Sequence, residues 1–599
     1  MTDSLYSLFL PPQGFMGDFG LFCGFTAAPD ILAQIKRRFS PEVTRPALAA
    51  FIHPTVNAIS DVPGLAWMWM TPNPRDYRLL HAKVALLGFR NRDADRYMIR
   101  LAVSTGNWTQ DPLTNSIDMF WSINLDLSGR IDLQAVADIR AAWAMFDWLR
   151  ARADTSLIDR DYDGLRPEGL LKAAIEGLAA SDRQPRFIDS RDAPLSTQVI
   201  ARLAKGPRLN RLVIGSGFFE SENTNDESVP ERLRRDLVKN RSFDPEGLGY
   251  LTLNPEACQG LASRAEALNG WTLCRPQAPH HPADAKLHAK FIAMAKEGES
   301  GEGRLYIGSG NLSRIGFETS ARAGGNLEAG VVFETGKLPW HAGKQDDIRK
   351  HLPTDFDSIV QIGTLAPGSD FQRPAELDSL PPVTFLIWAH DGLSAPGDKQ
   401  VKVIQDDKVV TTPCPWPGPP PAIVTTAEGG WRLPVLAEGV LVARRPRDMT
   451  IEDILAGLGS FPYPLEGEPL EESGADEQAG GAQSEARQDK GGATLPSVYP
   501  IRRMMQLLVR LGEAQARVDL RDWPRWCREL RQDLLAITKV ESRTIAFFAN
   551  AQSNPLPALL DPRMLPKGAD PATLGAALQD VSRTWALADY PSLWAMEAA

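Results

Sequence analysis

The stretches LLHAKVALLGF (79–89) and KLHAKFIAMAK (286–296) decide how this chain reads, because each centres a His-x-Lys pair in an apolar run. Downstream of the first, YMIRLAVS (97–104) runs into TGNWT with Asn107; downstream of the second, RLYIGSG (304–310) runs into NLS with Asn311. His81 and His288 are 207 residues apart, Lys83 and Lys290 also 207, and Asn107 and Asn311 204. A lone HxK on a strand is usually an ordinary edge pair, and a lone Gly-Asn marks a turn. Two ordered His, Lys, Asn sets at one separation point to a duplicated fold.

Residues two apart on a strand face one side, so each His and Lys is expected to project together, with the Asn arriving from the end of the next strand. If the halves pack about a pseudo-two-fold axis, two imidazoles, two ammonium groups and two amides converge on a space that fits one phosphoryl group. Lysine and amide donors suit the charge that develops on phosphoryl oxygens. One histidine can attack phosphorus while the other protonates the leaving oxygen. An attacking imidazole needs an acceptor on its other nitrogen. Asp118 in NSIDMFWSI and Glu328 in GGNLEAGVVF, each at the start of an apolar strand, are the candidates. His53, His280, His281, His341, His351 and His390 show no companion pattern, although His280 and His281 directly precede the second HxK segment.

Outward from these motifs, the 599 residues are expected to form several compact units, with 43% hydrophobic and 23% charged residues as in globular proteins. No apolar run approaches a membrane span. The first twenty residues carry an acid, Pro and Gly where a secretory leader needs positive charge and an apolar core, so a cytoplasmic location is expected. Five scattered cysteines suggest neither disulfides nor zinc, and no metal or other cofactor is expected. The net charge of −10 is concentrated between Glu466 and Lys490, which alone holds −6, leaving room for a basic groove elsewhere.

Alternating strand and helix patterns predict α/β architecture up to about residue 375. Strands are expected at 48–52, 79–87, 97–104, 119–125, 211–215, 286–293, 304–308 and 329–334. Helices are expected at 30–39, 133–153, 166–180, 230–238 and 261–268. The boundaries read as a first repeat at 1–160, a second at 161–375, a small β-rich domain at 376–460, an acidic disordered linker at 461–495 and a helical domain at 496–599. In the last, Met504, Leu507, Leu508 and Leu511 form an apolar face. Eight Arg against four acids between Ile501 and Arg531 make a basic surface, which is more often a solvated helix face than a grip for nucleic acid or protein.

At the paired motifs, with GSGNLS and NLE, the sequence resembles the phospholipase D superfamily over roughly residues 1–370. It is most similar to the tyrosyl-DNA phosphodiesterase branch, because Gly88 and Ala295 stand where HxK(x)4D motifs carry Asp, giving an HKN form. The resemblance implies two α/β/α sandwich repeats, a metal-independent phosphodiesterase, His81 as nucleophile forming a phosphohistidine, and His288 as general acid and then base. It also implies crossed support, Glu328 holding His81 and Asp118 facing His288. Asp118 departs from that branch, which carries Gln there. The segment IGSG at 214–217 is similar to a phosphate-contacting segment, so Ser216, with Ser309 and Ser313 of GSGNLS, is a candidate for substrate contact. Nucleic acid is the expected substrate, DNA before RNA, for an end-processing enzyme or nuclease in repair or phage defence. A phospholipase or phosphatidyltransferase, or a catalytically silent binding module, is the alternative. A protein partner such as a helicase, through the C-terminal region, is a further expectation, since no P-loop is present.

Overall fold

The computed structural model describes residues 5–54, 62–71, 75–91, 95–220, 227–279, 281–282, 284–298, 301–336, 338–341, 347–368, 375, 377, 379–442, 458, 500–538 and 541–592. The acidic stretch at 461–495 and His280 lie outside the described residues. The chain divides into two units, Met1–Ala443 and Arg444–Ala599.

The first half of the first unit contributes β1 (Phe15–Gly24), β2 (Leu48–Ile52), β3 (Leu65–Met70), β4 (Val84–Asn91), β5 (Tyr97–Ser104), β6 (Ser116–Ile117), β7 (Phe120–Asp126) and β8 (Ala153–Asp154). The second contributes β9 (Phe187–Asp189), β10 (Leu209–Gly215), β11 (Phe243–Thr252), β12 (Trp271–Cys274), β13 (Lys286–Leu287), β14 (Phe291–Ala295), β15 (Gly303–Gly308) and β16 (Ala329–Glu334). They build two seven-stranded sheets, β7-β5-β4-β1-β2-β3-β8 and β12-β11-β10-β14-β15-β16-β9. Written from opposite ends, six strands correspond one to one. In each sheet three consecutive strands pair in parallel, β1, β2 and β3 in the first and β10, β11 and β12 in the second, and the next three connections, out to β7 and to β16, are antiparallel. Only the seventh strand differs, β8 lying beyond β3 and β9 beyond β16. The expected duplication is therefore a duplication of topology.

Strand alternation sorts the side chains into layers. Phe19, Leu21 and Cys23 of β1 share one buried cluster with Val213, Phe291 and Ala293 of the second sheet, so the two sheets face a common interior. Phe22 of β1 turns to the other side, against the helix Pro29–Phe39. The outer face of the second sheet is covered by the helices Leu195–Leu203 and Val229–Lys239. Asp138, on the helix Leu133–Arg150, accepts from the backbone N–H groups of Arg186 and Phe187 and so ties the first half to β9.

Strands at 386–441 add a six-stranded sheet, with Leu386 and Leu433, and a two-stranded one, with Val403; all three residues belong to the same buried cluster as Phe22 and Trp67. Trp431 meets Trp69 edge-on at 5.3 Å. This segment thus continues the first half's outer core rather than forming one of its own. In the second unit, Met504, Leu507, Leu508 and Leu511 of the helix Pro500–Gln515 are all buried, with Trp526, Leu530 and Leu534 of Trp523–Ala536. Two arginines of the basic stretch are engaged within it, Arg525 with Glu529 and Arg531 with Asp580.

Several expectations need correction. The helix read at 166–180 spans Gly169–Glu176, and that at 133–153 ends at Arg150 because Ala153 and Asp154 pair with β3. More consequentially, the two HxK segments are not strand residues. β4 begins at Val84 and β14 at Phe291, just after each Lys. The His and Ala before each strand leave their own sheet and donate their N–H groups to the opposite half, while the Lys carbonyls return to their own half and accept from Ser104 and Gly308 N–H.

Candidate active site at the seam of the two halves

The backbone accounting of those residues explains their placement. His81 N–H and Ala82 N–H both donate to the carbonyl of Leu327, at 2.9 and 2.8 Å. His288 N–H and Ala289 N–H both donate to the carbonyl of Ile117, at 3.0 and 2.8 Å. β13 pairs in parallel with β6, and Leu80 makes the matching bridge to Leu327. Leu327 directly precedes Glu328, and Ile117 directly precedes Asp118. Each two-residue segment therefore holds a histidine of the other half twice, once by its carbonyl and once by its carboxylate.

His81 Nδ1 lies 2.9 Å from Glu328 Oε2, and His288 Nδ1 lies 2.9 Å from Asp118 Oδ1. An ionised carboxylate only accepts, so in both rings Nδ1 carries the proton and Nε2 is the free nitrogen. The carboxylates are fixed in turn. Ser309 Oγ donates to Glu328 Oε2 and Asn326 Nδ2 to Oε1 at 3.1 Å; Thr105 Oγ1 donates to Asp118 Oδ1 at 2.7 Å and Ser116 Oγ to Oδ2 at 2.8 Å. Thr105 and Ser309 each stand two residues before the site Asn; Ser116 and Asn326 each stand two before the carboxylate. The duplication extends to residues whose identities differ.

The asparagines sit on loops anchored one residue later. Trp108, fully buried, donates from its indole to the Cys23 carbonyl and bridges to Ala27, while Leu312 bridges to Phe219. One side-chain atom of each amide, Oδ1 of Asn107 and of Asn311, is buried with no hydrogen-bond partner among the described residues, and so is Lys83 Nζ. Lys290 Nζ donates to the His288 carbonyl. Orphaned buried polar groups are costly unless something fills the gap. Amide N and O exchange places by a ring-like flip, so an anion could be met by either Asn as a donor.

The electrostatics suit an anion between the two lysines. Burial pushes the His81 imidazole down to about 4, helped by Lys83 and Lys290 and opposed by Glu328. His288 is lowered as well, by burial and then Lys290, against Asp118. Burial lowers Lys290 to about 8, and burial with the nearby Lys290 charge sets Lys83 well below its usual value. Burial alone would neutralise Asp118, but His288, Lys290 and the Thr105 hydroxyl outweigh it and hold the acid low. A bound anion would raise both lysines and both histidines.

Of the serines expected to meet substrate, Ser216 and Ser309 have other duties. Both are fully buried. Ser216 Oγ closes the turn to Phe218 and accepts from Leu312 N–H, and Ser309 holds Glu328. Ser313 Oγ accepts from Gly316 N–H in the turn after Asn311. Sequence reasoning missed Phe25 and Phe218, whose rings flank His81 at 5.5 Å and His288 at 6.0 Å. It also missed a small pocket of about 20 Å³ beginning at Leu312 and lined by Phe219, Arg232, Arg264 and Arg314 with Glu220 and Glu227. Arg232 pairs with Glu318 there. Among the described residues, no three His, Cys, Asp or Glu are grouped to hold a metal, and no helix is long and apolar enough to cross a membrane.

Among solved structures, yeast tyrosyl-DNA phosphodiesterase is similar at 14% identity and a TM-score of 0.38, covering 56% of this chain and 88% of that one. Its H432R mutant gives 13%, 0.36, 54% and 84%. Polyphosphate kinase from Porphyromonas gingivalis gives 12% and 0.30, covering 55% of this chain and 42% of that one. No family model and no curated protein matches the sequence. At these values nothing is carried over to this chain, and its chemistry rests on its own atoms.

Proposed function

We propose that the chain is a metal-independent phosphodiesterase working through a phosphohistidine on His81, with nucleic acid, DNA before RNA, as substrate. The observation that carries this reading is the crossed pair of imidazole–carboxylate bonds around two buried lysines. His81, kept neutral by burial, presents Nε2 as nucleophile, and Glu328 stabilises the positive charge that its ring gains on attack. Lys83, Lys290, Asn107 and Asn311 hold the non-bridging oxygens. The bound anion, with Asp118 behind the ring, lets His288 hold a proton on Nε2. As the P–N bond forms and the P–O bond breaks, that proton passes to the leaving oxygen. His288 then takes a proton from water, whose oxygen attacks phosphorus, and the P–N bond breaks to restore His81.

Labelled single-stranded DNA, duplex DNA, RNA and phospholipid vesicles, each incubated with wild type and His81→Ala, test the reading. Cleavage of a nucleic acid by wild type alone is expected. Turnover of phospholipid only, or equal turnover by His81→Ala, would contradict it.

A further inference from the structure

Three consecutive N–H groups at the entry to each HxK segment, those of Leu80, His81 and Ala82 and of Leu287, His288 and Ala289, find their partners outside their own sheet. Two of the three go to Leu327 or Ile117. The third belongs to the residue just before the histidine, and its partner is a side chain. Leu80 N–H donates to His53 Nδ1 at 3.2 Å, and Leu287 N–H donates to Asn254 Oδ1 at 2.8 Å. His53 follows the end of β2 and Asn254 the end of β11, strands that correspond in the two halves. Both side chains are buried, His53 at 1% and Asn254 at 7% exposure.

We propose that His53 and Asn254 are a matched pair of positioning residues, each fixing the backbone one residue ahead of a catalytic histidine. The proposal rests on the reading of His81 and His288 as the reacting groups. With the N–H before each histidine held by its own half and the next two by the other, the Cα of the histidine is pinned across the seam. A buried N–H deprived of its acceptor would seek another partner and shift that Cα. The two clamps use one acceptor geometry but different residues. Asn254 also donates from Nδ2 to the Leu287 carbonyl at 2.9 Å, gripping both polar groups of that peptide. His53 instead lays its ring against Phe25 at 5.3 Å, and Phe25 in turn touches the His81 ring. The His53 clamp requires Nδ1 unprotonated, so this ring is the opposite tautomer to His81, with its proton on Nε2.

The test separates the acceptor from the bulk. His53→Phe keeps a ring beside Phe25 and removes the acceptor; His53→Asn keeps an acceptor and removes the ring. The chain has eight histidines, few enough for their imidazole signals to be followed by NMR with labelled histidine. In His53→Phe the His81 Nδ1 proton signal should move and kcat should fall by roughly 10–100-fold at nearly constant KM, as for a reacting group displaced by a fraction of an ångström. His53→Asn should restore kcat to within about threefold of wild type by the same reasoning. Asn254→Ala should act likewise on the His288 signal, and carries the test if His53→Phe does not fold. An unmoved His81 signal and unchanged kcat in His53→Phe, with only thermal stability lowered, would overturn the proposal. Because the imidazole signals need no turnover, an inactive wild type would overturn the catalytic reading alone, and moved signals would still uphold the clamps.

Discussion

His81 and His288 occupy equivalent places in the two halves but unequal surroundings. The His81 side chain is 9% exposed against a fully buried Glu328; the His288 side chain is 19% exposed against Asp118. Burial drives the first to about 4 and lowers the second as well. A duplicated fold thus supplies two identical groups at different depths, and in the proposed reading depth separates their work. The deeper ring stays neutral and suits attack on phosphorus. The shallower one is reached by solvent and suits exchange of protons with the leaving group and water.

The largest effect that sharpens this contrast should come from the carboxylates. Glu328→Gln removes the acceptor that fixes the tautomer of the nucleophile, and kcat should fall by about 10³–10⁴-fold, as when a triad carboxylate becomes an amide. Asp118→Asn acts on the proton-transfer histidine and should cost about 10²-fold with a poor leaving group and less with nitrophenolate. Steady-state kinetics with both ester types read this; equal losses in the two variants would break the comparison.

Gly217→Ala should come next. A Cβ there would lie 2.2 Å from the Leu287 carbonyl oxygen and 3.1 Å from His288 Cα, so the second HxK segment must shift. A displacement near 1 Å costs about 10²-fold in kcat. The His288 signal should move and the His81 signal should not.

The pH response is smaller and has a definite sign. His81 titrates near 4 when folded against an ordinary 6.5, so between those values the unfolded chain binds a proton that the folded one refuses. Its stabilising effect is complete above pH 6.5 and is lost as pH falls through 4, by about 3 kcal/mol at most. Denaturant unfolding of wild type against His81→Gln should show that slope only in wild type. The acid limb of kcat/KM should lie near 4 and vanish into acid denaturation rather than sit near 6.5.

The smallest effect is none. Two buried lysines provide the positive charge, so activity should persist in excess EDTA. Loss on chelation, restored by a divalent ion, would contradict that.

The site was legible in the sequence where identity repeats. His, Lys and Asn recur in order, and the crossed carboxylates follow them, each just ahead of a matching strand, β7 or β16. The clamps were illegible because His53 and Asn254 share an acceptor and no letter, and the carboxylate supports because Thr105 answers Ser309 and Ser116 answers Asn326. β1 was missed for a different reason. Gly17, Asp18 and Gly20 interrupt its apolar run, yet all ten positions are buried and Asp18 is neutralised by Arg45 and Arg90. The HxK segments were read as strands from their alternation, but their N–H groups bond across the seam, which no local pattern encodes. Gly88 illustrates the reverse. The Tyr97 hydroxyl stands 2.0 Å from where its Cβ would be, so an Asp here, as in HxK(x)4D motifs, would require the Tyr97 ring to move aside.

The most direct test of unequal roles is the covalent adduct. His288→Ala, quenched in acid after mixing with a labelled nucleotide ester of good leaving ability, should accumulate phosphorus on the peptide containing His81. Without the general base, water attack on that adduct should slow by about 10²–10⁴-fold. His81→Ala should show neither turnover nor adduct. Label on the His288 peptide, or no adduct in either variant, would contradict the assignment of His81 as nucleophile.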